Sequence, residues 1–317
     1  MVVVIGVVLA GVITLGGVAG YLYWQGGRTT SVAREHLPRG CEAVLRVDVA
    51  EMLAAAPVRD HVLRPIEDKR LELEDAGRVS RFVRAKIDPR KHLSELVACV
   101  RDVGEGDPSV VAVIGGELAS DTVVDALEGS DAFSDPTERD GRRVIRHRDS
   151  GLYVAQARSD AAILLASSPR LLADVDEASD AFRDYDLPLD SVVSATITKV
   201  AAERVEAMLN ALPGLTLRGV GTMEVAATVV PGRIRAEVAT GDPAAAEAFV
   251  GAVDSFLPLA RLAPLGPTSS PTAKKLLSGT SVVAEGGTVA VRVDVPDDVV
   301  EDFFRAVGRA VVTFEEG

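Results

Sequence analysis

Cysteine is nearly absent: Cys41 and Cys99 are the whole thiol inventory of 317 residues. Two are too few for a disulfide-built scaffold, and they match no zinc spacing. Aromatic residues make up only 4% of the chain, so stacking platforms for bases or sugars are scarce and a core must come from Val, Ala and Leu. Positive charge is short as well, with 34 Lys and Arg against 47 Asp and Glu, a net charge of -13. Nucleic-acid binding depends on clustered basic residues, and this balance excludes it.

Recognisable chemistry is also missing. The histidines are His36, His61, His92 and His147, none within a metal-binding helical spacing of another. There is no nucleophile elbow and no phosphate loop ending in Gly-Lys-Ser or Gly-Lys-Thr. Gly219 and Gly221 supply two glycines of a dinucleotide turn without the third, in a strand pattern where a bulge is the better reading. Asp174, Asp176, Glu177, Asp180, Asp184, Asp186 and Asp190 lack the glycine of a calcium loop and read as a solvated acidic linker. No metal, no cofactor and no enzymatic activity are therefore expected.

What is present begins at the N-terminus. Met1 to Trp24 contains no charged side chain, and about 20 apolar residues suffice to cross a bilayer. Tyr21, Tyr23 and Trp24 close the run where aromatic rings favour the headgroup layer, followed by Gln25, Gly26, Gly27 and Arg28. The run exceeds the roughly 7 to 15 residues of a secretory signal core, although Val18, Ala19 and Gly20 are small enough for a cleavage site. A single-pass bacterial membrane anchor is expected. The first cysteine is Cys41, which argues against a lipoprotein. Arg28, Arg34 and Arg39 follow the run, which taken alone places the large domain in the cytoplasm. An N-terminal apolar segment ahead of a long domain is the layout of an anchored extracytoplasmic protein, and that orientation is expected here. Within the run, Gly6 with Ala10 and Gly16 with Gly20 repeat small residues at four-residue spacing, which permits self-association.

Beyond the anchor, runs of period two and period 3.6 alternate, and the order strand, helix, strand pair, helix, strand pair, helix occurs twice. The first round starts at Ala43 to Val49. It continues with helical sequence from Ala50 to about Lys86, strands at Leu96 to Arg101 and Val110 to Gly115, and a helix from Ser120 through Leu127. A meander (Arg142 to Arg148, Leu152 to Ala157, Ala161 to Ala166) and a closing helix from Ser168 and Pro169 complete it. The second starts at Val192 to Thr198, with a helix through Leu212 and strands at Leu217 to Val230 and Arg233 to Thr240. A helix from Asp242, strands at Ser281 to Glu285 and Val289 to Val295, and a last helix carrying Val299, Val300, Phe303, Phe304, Val307 and Val311 follow. The predicted fold class is α+β: a transmembrane helix, then two similar domains of mostly antiparallel sheet, each covered by helices on one face. The expected divisions are an anchor at 1–27, a linker at 28–40, a first domain at 41–182 and a second at 183–317.

Leu37, Pro38, Arg39 and Gly40 before the first strand, the Ala56, Pro57, Val58 step after it, the Ile87, Asp88, Pro89 step and the Ser168, Pro169 helix start carry a resemblance. Over most of its length the chain resembles a group of uncharacterised bacterial proteins with an N-terminal anchor and an extracytoplasmic α+β region. The resemblance implies anchored topology and no particular reaction.

Two side-chain groups stand out. From Asp102 to Glu138 there are ten acidic residues and no Lys or Arg, after which Arg139, Arg142, Arg143, Arg146 and Arg148 arrive. Arg142, Arg143, Arg146 and Arg148 are candidates for gripping an anion or an acidic partner; an edge strand defended by charge is the structural alternative. Cys41 and Cys99 each fall in strand-like sequence and can bridge in an oxidising compartment. Free, half-buried thiols are the other reading, because Cys99 alternates with Val97 and Arg101. The function that fits is a membrane-anchored binding or structural module for a protein or envelope component. The alternatives are a carrier or sensor of a small or lipidic ligand held between the domains, and an unrecognised hydrolase.

Overall fold

The computed structural model describes residues 32–75, 93–102, 108–116, 122–128, 132–139, 141–157, 162–175, 182, 185, 187, 191–210, 219–262 and 271–316. Met1 to Trp24, His92 and most of the acidic join lie outside them. In chain order the elements are α1 (Val32–Glu35), β1 (Ala43–Asp48), α2 (Val49–Ala54), α3 (Ala56–Val58), a wider π-type turn (Arg59–Leu63), α4 (Arg64–Asp75), β2 (Leu93–Arg101) and β3 (Ser109–Gly116). Then come α5 (Thr122–Leu127), β4 (Thr137–Arg139), β5 (Arg142–Arg146), β6 (Tyr153–Gln156) and β7 (Ala162–Ala166). The remainder is β8 (Val193–Ile197), α6 (Lys199–Asn210), β9 (Met223–Thr228), β10 (Arg233–Ala239), α7 (Pro243–Leu262), α8 (Pro271–Ser278), β11 (Thr280–Glu285), β12 (Thr288–Asp294) and α9 (Asp297–Glu316).

The fold is α+β, and its twelve strands form one sheet in the order β11-β12-β10-β9-β8-β1-β2-β3-β7-β6-β5-β4. Every neighbouring pair is antiparallel. The sequence reads two sheets; the structure joins them where β1 pairs with β8, from Ala43 opposite Ile197 to Val47 opposite Val193. Asp48 ends β1 and starts α2 by accepting the Glu51 N–H at 2.9 Å, a side-chain cap that satisfies an otherwise orphan donor.

One face of the sheet carries Leu45, Val47, Leu96, Ala98, Ala112, Ile114, Ile163 and Leu165, packed with Val58, Val62, Leu63, Ile66, Val124 and Leu127 from the helices. The closing helix α9 also packs here, through Phe304, Val300, Phe303 and Val307. It comes from the second round of elements, yet it covers the first. A Cβ at Gly308 would lie 1.9 Å from the His61 carbonyl oxygen, so only glycine lets α9 approach the π-type turn this closely.

Around β1, β2, β3, β7 and β6 the opposite face is covered too. Val44, Val97, Cys99, Val111, Val113, Ala155, Leu164 and Ala166 pack beneath Ala33, Leu37, Leu172, Val175, Phe182 and Leu187. This corrects the expectation of helices on one face only: these strands are apolar on both sides, as doubly buried strands must be. In β9 to β12 the helix-side face packs with α6 and α7 through Met223, Val225, Val238, Ala246 and Val289, whereas Arg233, Arg235, Arg292, Asp294, Ser281, Val283 and Glu285 on the other face are exposed.

Further differences from the sequence reading have local causes. The strand expected from Leu217 is described only from Met223, with Gly219 ahead of it at a φ of 73°. The helix expected after Pro169 is a short 3-10 turn, Ala173–Val175, where the Leu172 carbonyl accepts from Arg142 and Asp174 pairs with Arg101. Among the described residues no helix is long and apolar enough to cross a membrane.

Candidate functional site

The strongest gathering of polar side chains lies at the seam between β1 and β8, on the face away from the long helices. Period two puts Arg46 on that face with Val44 and Asp48, and register sets Arg46 opposite Ser194 and Val97, and Asp48 opposite Glu95. Arg46 and Glu95 are both buried, 3% exposed each. Glu95 accepts from Arg34 twice, Nε to Oε2 at 2.8 Å and Nη2 to Oε1 at 2.6 Å, and also from Arg46 Nε. Arg46 further donates to the Ser191 carbonyl at 3.0 Å and to Asp48 Oδ2 at 3.1 Å. The Arg34 guanidinium lies 5.0 Å from the centre of the Phe182 ring.

Two guanidinium groups and two carboxylates thus neutralise one another inside the fold. Hydrogen bonding to Glu95, helped by the charges of Glu95 and Asp48 and opposed by desolvation, holds Arg34 above the ordinary arginine range. The physical result is that α1 is fastened to the sheet. At the same crossing the Ala33 nitrogen lies 2.9 Å from where a Gly115 Cβ would stand, so a side chain there would push α1 away. Arg204 adds a two-pronged contact to Glu42, at 2.7 and 2.8 Å, tying α6 to the entry of β1.

Beside this cluster Cys41 and Cys99 form a disulfide with a Cα–Cα distance of 5.3 Å. The free-thiol reading is corrected: it rested on alternation along β2, but both faces of β2 are buried, so alternation there separates nothing. Cys41 lies just ahead of β1 rather than within it.

The arginine strand is not the sheet edge, because β4 lies outside β5; the edge position expected for it is corrected. Arg142 is buried and donates Nη1 to the Leu172 carbonyl at 3.0 Å. Arg143 reaches Asp125, and Glu128 at 2.9 Å, and those carboxylates raise its pKa, the Asp125 hydrogen bond foremost. Arg146 is exposed, 5.7 Å from the centre of the Tyr153 ring. Arg148 is exposed and donates Nε to the Phe133 carbonyl at 2.7 Å. The four therefore do not converge on one point.

The histidines are dispersed. His36 is buried with Nδ1 3.0 Å from the Val175 carbonyl, His61 lies 4.0 Å from Glu301, and His147 Nδ1 is 2.9 Å from Ser150 Oγ within a tight turn. Among the described residues no group of three or more His, Cys, Asp or Glu is placed to hold a metal. Sequence reasoning passed over Arg34, Arg46 and Glu95. A signal was available for two of them, since Arg46 and Glu95 are charges set among apolar residues inside their strands, where a charge has to be paired. Arg34 carried none.

Neither a protein-family model nor a curated protein matches the chain. Among solved structures, TP0453 in crystal forms III, I and IV aligns over 88% of this chain and 99%, 98% and 97% of its own, at 11% identity, with TM-scores of 0.45, 0.43 and 0.44. A likeness of that degree transfers neither ligand nor role.

Proposed function

We propose that this chain is a single-pass, membrane-anchored bacterial envelope protein, held outside the cytoplasm, whose sheet is a binding or structural module without catalysis. The observation that carries the reading is the fastening of α1. This helix follows the apolar run and its Gln25 to Arg28 edge, and the Arg34–Glu95–Arg46 contacts lock it to the middle of the sheet. Such contacts hold α1 firmly on the sheet at the point where the chain enters it. The Cys41–Cys99 disulfide, placed directly after it, suits an oxidising compartment.

The two rounds of elements are best understood as copies of one unit. From the seam outwards one reads β1-β2-β3-β7-β6 and the other β8-β9-β10-β12-β11, that is, first, second, third, last and penultimate strand in each, with β5 and β4 added beyond the first. If the partner is acidic, Arg146 and Arg148 are the two of the four arginines at 142, 143, 146 and 148 exposed enough to meet it.

The test uses the full chain in cells. Retention in the membrane through an alkaline wash is expected, together with labelling of a Val200→Cys variant by a membrane-impermeant maleimide and thiols at positions 41 and 99 that react only after reduction. A soluble mature product, or protection of position 200 until the inner membrane is lysed, overturns the reading. Crosslinking in intact membranes then identifies partners, and charge reversal at Arg146 and Arg148 should weaken the recovery of an acidic one. Turnover of a substrate that is lost on replacing a single buried side chain would overturn the non-catalytic reading.

A further inference from the structure

The exposed face of β9 to β12 has an order of charge that solvent alone does not explain. Register sets Arg235 of β10 directly opposite Arg292 of β12, and Glu237 of β10 directly opposite Glu224 of β9. Like charges placed opposite each other destabilise a sheet, and alternating signs would cost nothing on a face that only meets water. Here one basic row and one acidic row lie side by side, two residues apart along β10.

Contacts within the chain offset part of this. Arg235 pairs with Glu237, and Arg292 Nη2 lies 3.6 Å from Glu285 Oε1. Both arginine side chains remain 51% exposed and that of Glu237 38%, so these charges still face outwards, while Glu224 is half-buried and has a contact of its own within the chain. Val283, 47% exposed, sits on the same face beside Ala290.

We propose that a second copy of this chain docks on this face, the basic row of each copy lying against the acidic row of the other. A uniformly acidic or basic partner would meet one row and be repelled by the next. A copy related by a two-fold axis running across the strands, between the two rows, presents the reverse order and satisfies both; such a contact is self-complementary. Val283 would then be covered opposite the Ser281 position of its partner.

The test measures the mass of the full chain, purified in a mild detergent, by light scattering and sedimentation over a range of concentration and salt. A dimer is expected, weakening as salt rises because exposed charge pairs are screened over about 10 Å at 0.1 M. Arg235→Glu with Arg292→Glu makes the face acidic, and Glu224→Arg with Glu237→Arg makes it basic. Each double variant alone should dimerise at least tenfold more weakly. An equal mixture of the two, carrying different tags, should form the mixed dimer. Circular dichroism checks folding; if the Glu224 change unfolds the chain, Glu237→Arg alone serves as the basic partner. A parent that stays monomeric overturns the proposal, as does a mixture that fails to pair. So does a dimer that survives both reversals unchanged, which would be held by another surface such as the small-residue faces of the anchor.

Discussion

The strands on the two sides of the β1–β8 seam are connected alike and exposed differently. On the face away from the long helices, β2, β3 and β7 carry Val97, Val113 and Leu164, each fully buried, whereas β9, β10 and β12 carry Glu224, Arg235, Glu237 and Arg292. The difference follows the cover. The first side is covered by α1 and by Leu172, Val175, Phe182 and Leu187, and apolar side chains under such cover gain roughly 25 cal/mol per Å² removed from water. No described element of that kind lies over the second, and its residues are accordingly charged. A polar face on one side of a shared sheet therefore marks where no described element covers it.

The largest effect that would break this comparison is at Glu95. Glu95→Ala strips two arginines of a partner, one of them buried, and breaking a buried pair costs about 3–5 kcal/mol. Glu237→Ala, on the open face, should stay within about 0.5 kcal/mol. Urea unfolding of both variants checks the contrast, and equal losses would mean that the seam cluster is not what holds the covered side. Replacing Arg46 and Glu95 together by apolar residues should cost less than Glu95→Ala, because no buried guanidinium is then left without its carboxylate, and Arg34, which also loses Glu95, is 31% exposed at its side chain and can turn to water.

Next in size is the disulfide. It joins residues 58 apart in sequence, and closing a loop of that order restricts the unfolded chain by about 2–4 kcal/mol. Cys41→Ala with Cys99→Ala should lower stability by that amount and leave the charged face of β9 to β12 unchanged. Reduction of the parent should reproduce the loss, and an unaltered urea midpoint would contradict it.

Gly308 tests the one helix that serves the opposite side of the seam. Gly308→Ala improves intrinsic helix propensity by about 1 kcal/mol, but its Cβ would collide with backbone at His61, and overpacking costs about 1–3 kcal/mol. A net loss is expected, with faster hydrogen exchange in residues 49–75 than in β9 to β12. Equal acceleration on both sides would show that α9 belongs to both.

Much of the architecture was legible in the sequence, because exposed strands alternate. Arg233 to Thr240, Ser281 to Glu285 and Val289 to Val295 were placed within a residue or two of β10, β11 and β12, where one face is wet and the other dry. The first side was read less fully. Continuous apolar sequence such as β7, Ala-Ile-Leu-Leu-Ala, does not report that its second face is covered. Nor does the pattern of Phe303, Phe304 and Val307 say which strands the last helix will cover, since that is settled by tertiary contacts such as Gly308 on His61. The seam cluster stayed hidden for a related reason: Arg34, Arg46 and Glu95 are brought together only by the pairing of β1 with β2 and the docking of α1.

The smallest expected effect lies on the second side, at Asp298 in the first turn of α9. Its carboxylate pairs with Lys275 of α8, and that hydrogen bond, above all, holds its pKa below the usual carboxylate range. The sign follows from linkage: a carboxylate whose folded pKa is depressed contributes stability above its unfolded pKa and loses it as pH falls through the folded value. The unfolded value is about 3.9, so the contribution is complete at neutral pH and fades only below about pH 4. Because Asp298 is exposed, water and salt screen the pair. Asp298→Asn should therefore leave the neutral-pH urea midpoint almost unchanged and flatten the acid limb of stability against pH slightly. A midpoint shift at neutral pH as large as that of Glu95→Ala would show that the α8–α9 junction is held as firmly as the seam, and the contrast between the two sides would no longer stand.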